Sequence, residues 1–273
     1  AMFRDLKAVV MDLEGVLYAG EEVLPGAREL LGALEARGLP HRFVTNISRH
    51  TSADVRAHMA ILGIDPGPGK IVGVLDWAGE FLRRRCGTGR VLVLGTETLQ
   101  AAIRAAGFEL VPPWAEHRAE IVVVGLDEGL THFSLSAAAR AVARGAPFFA
   151  LNPDVRAPRE GGSFELGGGA VALAVQAAAG KPPVVIGKPG PFLFEQALAE
   201  LGVEPSEAVM IGDNLRTDVA GARAVGMASV WINRWGALPG DPDVKPDLEV
   251  RRADEIVPHL PGCRGSRAKD VPS

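Results

Sequence analysis

The chain has 273 residues, enough for one large or two ordinary domains around a substantial core, which excludes a peptide hormone or a small disulfide-stapled scaffold. Its 29 Lys and Arg against 33 Asp and Glu leave a formal charge of −4, so no global positive field draws it to nucleic acid or to an anionic membrane, and small soluble ligands suit it better. Cys86 and Cys263 are far apart and lack a metal-like or C-x-x-C spacing, and no charged-then-apolar leader pattern opens the sequence, so a cytoplasmic setting is expected.

Taken from the N-terminus, "AVVMDL" (8–13) is an apolar run that ends in Asp12 and is cut by Gly15. The amphipathic stretch "PGARELLGALEARG" (25–38) follows, with Pro25 near its start and Gly38 at its end, and then the run "HRFVTN" (41–46). A second helix is predicted over "TSADVRAHMAILG" (51–63), capped by Thr51 or Ser52 and stopped at Gly63. Further apolar runs are "RVLVLG" (90–95), "EIVVVGL" (120–126), "PFFALN" (147–152), "PVVIG" (183–187), "AVMIG" (208–212) and "ASVWIN" (228–233). Continuous β-branched runs alternating with amphipathic stretches predict strands buried on both faces and a parallel α/β architecture. The turn-rich segments "DPGPGK" (65–70) and "AAAGKPP" (177–183) bracket about a hundred residues with their own alternation, the pattern of one domain inserted in another. The tail "PGCRGSRAKDVPS" (261–273) has no periodicity and is expected to fray.

In an open parallel sheet, ligands bind beyond the carboxyl ends of the strands. Four runs carry chemistry-capable residues at that end: Asp12, Thr45 with Asn46, Lys188, and Asp213 with Asp218 five residues on. Singly, each suits a turn or cap; jointly, charge at the end of apolar run after apolar run predicts one site. A carboxylate such as Asp12 can attack phosphorus and split one difficult displacement into two easier ones. Because nucleophile and phosphate are both anionic, a hard cation held by Asp12 and Asp213 is expected, with Mg²⁺ first and Mn²⁺ as the other oxygen-loving choice. Lys188 would neutralise further charge and the Thr45 hydroxyl would bind phosphoryl oxygens.

"DLEGVLY" (12–18), "VTN" (44–46), "GKPGP" (187–191) and "GDNLRTD" (212–218) resemble, in order and context, the four motifs of haloacid dehalogenase-like phosphatases. The resemblance spans roughly residues 5 to 260 and is nearest to the NagD-like branch, where a large α/β cap lies between the second and third motifs. It implies a Rossmannoid parallel-sheet core over 1–76 and 182–261, an inserted α/β cap over 77–181, and a disordered tail over 262–273. It further implies that Asp12 is nucleophile and metal ligand, that the backbone carbonyl of Glu14 and the Asp213 carboxylate are ligands, and that Asp218 supports them. Thr45 would bind the transferring group, Asn46 would orient it, and Lys188 would pair with phosphoryl group and nucleophile.

Glu14 departs from the family pattern, which has Asp two residues after the nucleophile as general acid and then general base. Glu can carry a proton, with an unperturbed pKa of ~4.3 against ~3.9, but its extra methylene shifts the carboxyl by about 1 Å. Metal-dependent hydrolysis of a small phosphomonoester through an aspartyl-phosphate is therefore expected. A phosphotransferase on the same site and a low-turnover phosphometabolite-binding protein stand as alternatives. Asn152 and Asp154, in "LNPD" (151–154), lie where a cap loop would meet substrate. A cap of this size often presents apolar surface, one route to a homo-oligomer.

Other signals carry less. "GGGAVA" (167–172) matches a dinucleotide fingerprint without the strand that should precede it. The histidines show no i, i+4 pair that would suit zinc. The four tryptophans, Trp77, Trp114, Trp231 and Trp235, are read as packing residues.

Overall fold

The β-branched runs and amphipathic stretches fold into parallel sheets and helices, the α/β class their alternation predicts. The computed structural model describes residues 2–3, 5–158, 163–236 and 243–262. The tail from 263 onward, with Cys263, lies outside the described residues. In chain order the elements begin β1 (Ala8–Met11), β2 (Tyr18–Ala19), β3 (Glu22–Val23), α1 (Ala27–Ala36), β4 (His41–Thr45), α2 (Ser52–Ile61), β5 (Ile71–Gly73), α3 (Val74–Cys86), β6 (Arg90–Leu94), α4 (Glu97–Ala105) and β7 (Glu109–Leu110). They continue with β8 (Ile121–Val124), α5 (His132–Ala143), β9 (Phe148–Ala150), β10 (Arg156–Pro158), β11 (Phe164–Leu166), α6 (Gly168–Ala179), β12 (Val184–Val185), α7 (Phe192–Leu201), β13 (Ala208–Gly212), α8 (Ala220–Ala224), β14 (Ala228–Ile232) and β15 (Leu248–Val250). No described helix is long and apolar enough to cross a membrane.

Two compact units result, one of Ala1–Phe43 with Ala197–Ser273 and the other Val44–Gln196. In the first, β1 is an interior strand. It pairs in parallel with β13 on one side, Met11 opposite Ile211, and with β4 on the other, Met11 opposite Phe43. Every residue of β1 and β13 is buried, so an unbroken apolar run rather than an alternating one is what these strands need. β14 and β15 extend the sheet beyond β13, also in parallel. Parallel pairing in register brings the chain out of β1 and β13 side by side, at Asp12 and Asp213. Helix α1 buries Ala27, Leu30 and Leu34, one stripe at helical spacing.

The second unit holds a parallel sheet in the order β12-β9-β8-β6-β7. Helices α5 and α6 contribute Ala137, Ala138, Ala141, Val171, Ala172 and Val175 to a core with Leu92, Val122, Val124 and Phe148 from the strands. The predicted start of α2 is correct: the Thr51 hydroxyl accepts from the Asp54 N–H at 3.2 Å and the Asp54 carboxylate accepts from the Thr51 N–H at 3.0 Å. α5 opens with the same reciprocal arrangement between Thr131 and Ser134. β10 and β11 form a short antiparallel hairpin.

Sheet membership and the extent of the units were not carried by the strand pattern. "PVVIG" joins the second sheet, where Val184 and Val185 lie opposite Phe149 and Ala150, because a short apolar strand pairs wherever an open parallel edge is offered. Helix α3 runs unbroken through residues 76 and 77, and the compact units divide at 43/44 and 196/197. The glycines of "GGGAVA" open α6 by close packing: a Cβ on Gly169 would sit 2.3 Å from the Pro153 backbone.

Candidate active site

Asp12 follows the last residue of β1 and donates its N–H to the Ile211 carbonyl at 2.9 Å, one more rung of the β1–β13 pairing. Its carboxylate is steadied by the Leu13 N–H at 2.8 Å, and the chain then turns sharply through Gly15, at φ +86°. That glycine is required twice. Its backbone is left-handed, and a Cβ there would stand 2.0 Å from Asp213 Oδ2. The turn closes with Glu14 bridged to Tyr18 and the Gly15 N–H donating to the Tyr18 carbonyl at 2.8 Å. Glu14 itself is exposed, whereas Tyr18 is buried. Burial, then the carboxylates of Glu14 and Asp12, push the Tyr18 phenol above its ordinary value.

Asp213 follows β13 and is exposed; its main-chain carbonyl accepts from the Trp231 indole at 3.0 Å. Asp218 lies on a single π-helical turn over Leu215–Val219, a geometry frequent at functional sites, and is fully buried. The Asn214 side chain accepts from the N–H groups of Arg216 and Thr217, which starts that turn, and the Asn214 N–H donates to Asp218 Oδ2 at 3.1 Å. Asp12, Asp213 and Asp218 each place a carboxylate oxygen within 4.8 Å of the others, and among the described residues they are the one such group of His, Cys, Asp and Glu side chains. Three carboxylates this close repel one another unless a cation or protons intervene, and their hard oxygen donors suit a divalent cation. The Glu14 carboxylate is not in the group.

The second unit assembles the other strand-end residues. Thr45 ends β4, is buried, and accepts from the Ile47 N–H at 3.1 Å through its hydroxyl. Asn46 follows, and its carboxamide is joined at both ends to Lys188: Nδ2 donates to the Lys188 carbonyl and Oδ1 accepts from the Lys188 N–H, each at 2.8 Å. Lys188 is 1% exposed. Asn152 is also buried; its Nδ2 donates to the Asn46 carbonyl at 2.8 Å and its Oδ1 accepts from the Asp154 N–H at 3.1 Å. The strand-end residues thus gather into two groups, one anionic in the first unit and one built on a buried lysine in the second.

Sequence reasoning missed Tyr18, Asn214 and the indole of Trp231 as parts of these groups. Tyr18 closes "DLEGVLY" and Asn214 lies within "GDNLRTD", so motif position was the available signal; nothing in the sequence announced the Trp231 hydrogen bond. Trp231 does pack, with Leu215 and Val219, and Trp77 meets Phe192 edge to face. Trp235, in the turn after β14, and Trp114, in a 3-10 helix over Pro113–Arg118, do not pack as expected, being 87% and 74% exposed.

The family model described as "Haloacid dehalogenase-like hydrolase" matches residues 9–109, and that described as "HAD-hyrolase-like" matches residues 185–261. An acid sugar phosphatase of Staphylococcus aureus strain MRSA252 is 35% identical over 260 residues, which cover 94% of this chain and 99% of that protein. Among solved structures, NagD from E. coli K-12 superposes with a TM-score of 0.81 at 27% identity, covering 92% of this chain and 98% of the other. The glycerol phosphate phosphatase Rv1692 of Mycobacterium tuberculosis, solved in complex with magnesium, gives a TM-score of 0.80 at 30% identity over 92% of this chain and 77% of that one. With the four motifs in order and an acidic group at the carboxyl ends of β1 and β13, the chain belongs to the haloacid dehalogenase-like hydrolases, in their NagD-like branch, and is an enzyme of that family's phosphatase kind.

Proposed function

We propose that the chain hydrolyses small phosphomonoesters through a phosphoaspartate on Asp12, with Mg²⁺ as the physiological cation and Mn²⁺ as a substitute. The observation that supports this most strongly is the approach of Asp12, Asp213 and Asp218 to within 4.8 Å at the carboxyl ends of paired strands. These carboxylates, with the main-chain carbonyl of Glu14, would hold the cation. Bound there, it supplies the positive charge that lets an anionic carboxylate approach an anionic phosphate.

In this mechanism the Thr45 hydroxyl and the Lys188 ammonium bind the phosphoryl oxygens. An Asp12 carboxylate oxygen attacks phosphorus in line, the ester P–O bond breaks, and Glu14 gives its proton to the departing oxygen. A water then passes a proton to Glu14 and attacks phosphorus. The Asp12 O–P bond breaks, inorganic phosphate leaves, and the free carboxylate and protonated Glu14 are restored. Asp154, half-buried at the end of the loop after β9, is the candidate to meet the body of the substrate. The second sheet and its helices form the inserted cap, and the small net charge suits a cytoplasmic enzyme of small metabolites.

Hydrolysis of p-nitrophenyl phosphate with and without Mg²⁺ tests the proposal. Turnover should require the metal and fall by at least about a thousandfold in Asp12→Asn; activity indifferent to both would overturn it. A second possibility, a phosphometabolite binder of low turnover, is favoured only by Glu14, and substantial wild-type turnover of any phosphomonoester would end it.

A further inference from the structure

We propose that Asn46 and Asn152 form a hydrogen-bond relay that positions Lys188, so that neither side chain is a substrate contact. This rests on the proposed role of Lys188 as the cation for the phosphoryl group and deepens it. The carboxamide of Asn46 has one acceptor end and one donor end, and both are committed to the main chain of the same residue, Lys188, at 2.8 Å each. Two hydrogen bonds to one peptide segment fix its orientation as well as its place, just as a paired strand does. Asn152 holds Asn46 in turn, through the 2.8 Å bond from its Nδ2 to the Asn46 carbonyl, while its own Oδ1 receives the Asp154 N–H.

The surrounding backbone is built to admit this relay. The β9–β12 pairing continues past its strand ends, with Ile186 N–H on the Ala150 carbonyl and Gly187 N–H on the Leu151 carbonyl, both at 2.8 Å. Gly187 then leaves room for the carboxamide: a Cβ there would lie 2.3 Å from Asn46 Oδ1 and 2.7 Å from the Leu151 carbonyl oxygen. Three loops, after β4, β9 and β12, are thereby locked at one point. A lysine has a four-carbon stem with many rotamers, so a fixed main chain is the first condition for delivering its ammonium reproducibly, and a displacement of about 1 Å at a reacting centre can cost roughly a hundredfold in rate. Lys188 and Asn152 are 1% and 4% exposed, so cutting the relay removes hydrogen bonds from buried polar groups and lets the segment shift.

A double-mutant cycle tests the relay. Asn46→Ala and Asn152→Ala are each made in the wild type and in Lys188→Ala, and kcat/KM for p-nitrophenyl phosphate is measured with circular dichroism to register folding. Lys188→Ala should lower kcat/KM by about a hundredfold or more. Each asparagine variant should lower it by roughly tenfold or more in the wild type, yet by less than about twofold when Lys188 is already absent. Losses that multiply in the two backgrounds would overturn the relay, because a substrate contact or a simple loss of folded enzyme acts independently of Lys188. If Lys188→Ala alone stays within about threefold of wild type, the role of Lys188 itself is wrong, an outcome distinct from the first. Should Asn46→Ala fail to fold, Asn152→Ser carries the test with a second readout. Its fold-loss should be equal for p-nitrophenyl phosphate, glycerol phosphate and a sugar phosphate, since Lys188 acts on the phosphoryl group they share; a loss confined to one of them would mean that Asn152 touches the leaving group.

Discussion

Glu14, proposed above as the proton carrier, stands where the resemblance implies Asp. Its main chain is fixed by the bridge to Tyr18 and by the tight turn at Gly15. Glu14→Gln, which removes the proton carrier and keeps the shape, should lower kcat by about 10²–10⁴ with Mg²⁺ affinity little changed. Glu14→Asp should retain or raise activity, and steady-state kinetics on an aryl phosphate measures both. At this scale the sequence was most legible where charge follows an apolar run. Asp12, Asp213 and Lys188 could be singled out because a buried strand gives no structural reason for them. Trp231 could not, because a core tryptophan has the same local signature whether or not it borders a site, and Tyr18 and Asn214 were marked only by their place in the motifs.

Among the elements, the turn after β1 and the start of α2 make separate demands. Gly15→Ala introduces a Cβ at φ +86° and 2.0 Å from Asp213 Oδ2, so Asp213 must move; the expected result is a folded protein whose thermal midpoint no longer rises on adding Mg²⁺. Thr51→Ala removes one half of the α2 capping box and should cost about 1 kcal/mol in chemical denaturation, with kcat unchanged. The longer strands of both sheets were legible as unbroken β-branched runs, whereas the short strands β5, β7 and β15 were not, and the α2 cap fell on Thr51, one of the two residues expected. What the pattern did not contain was sheet membership. "PVVIG" has the composition of any buried parallel strand, and only the tertiary structure determines that Val184 and Val185 pair with β9. The division of the compact units is equally invisible in the pattern, since β4 and α7 run through 43/44 and 196/197 without a break in periodicity.

For the whole molecule, the proposed metal site predicts that stability depends on metal as well as on pH. Three carboxylates within 4.8 Å should repel one another without a cation, and a cation that binds the folded chain alone should stabilise it. At a hundredfold excess over its dissociation constant that gain is about 2.7 kcal/mol, a rise of roughly 5–10 °C in thermal midpoint, absent in Asp213→Asn. Hydrogen bonds hold the carboxyls of Asp65 to Arg56, Glu80 to Arg84 and Arg83, Glu116 to Arg140, and Asp254 to Arg252 below the ordinary carboxylate range. A lowered folded-state value stabilises above the unfolded pKa and is lost as pH falls through the folded one. Asp127, raised by burial, acts with the opposite sign. Because the lowered groups are more numerous but exposed, the thermal midpoint should decline gently as pH falls from about 5 to about 3. A midpoint that rises over that interval would contradict the assignment.

The most direct test of the whole account is the covalent state of Asp12 during turnover. Enzyme mixed with p-nitrophenyl phosphate and Mg²⁺, quenched in acid within a single turnover and measured by intact-mass and peptide mass spectrometry, should carry one added phosphoryl group on the peptide containing Asp12. That adduct should be missing from Asp12→Asn and from enzyme stripped of divalent cations. A phosphoryl group on another residue, or sustained turnover by Asp12→Asn, would contradict the claim that this carboxylate is the nucleophile.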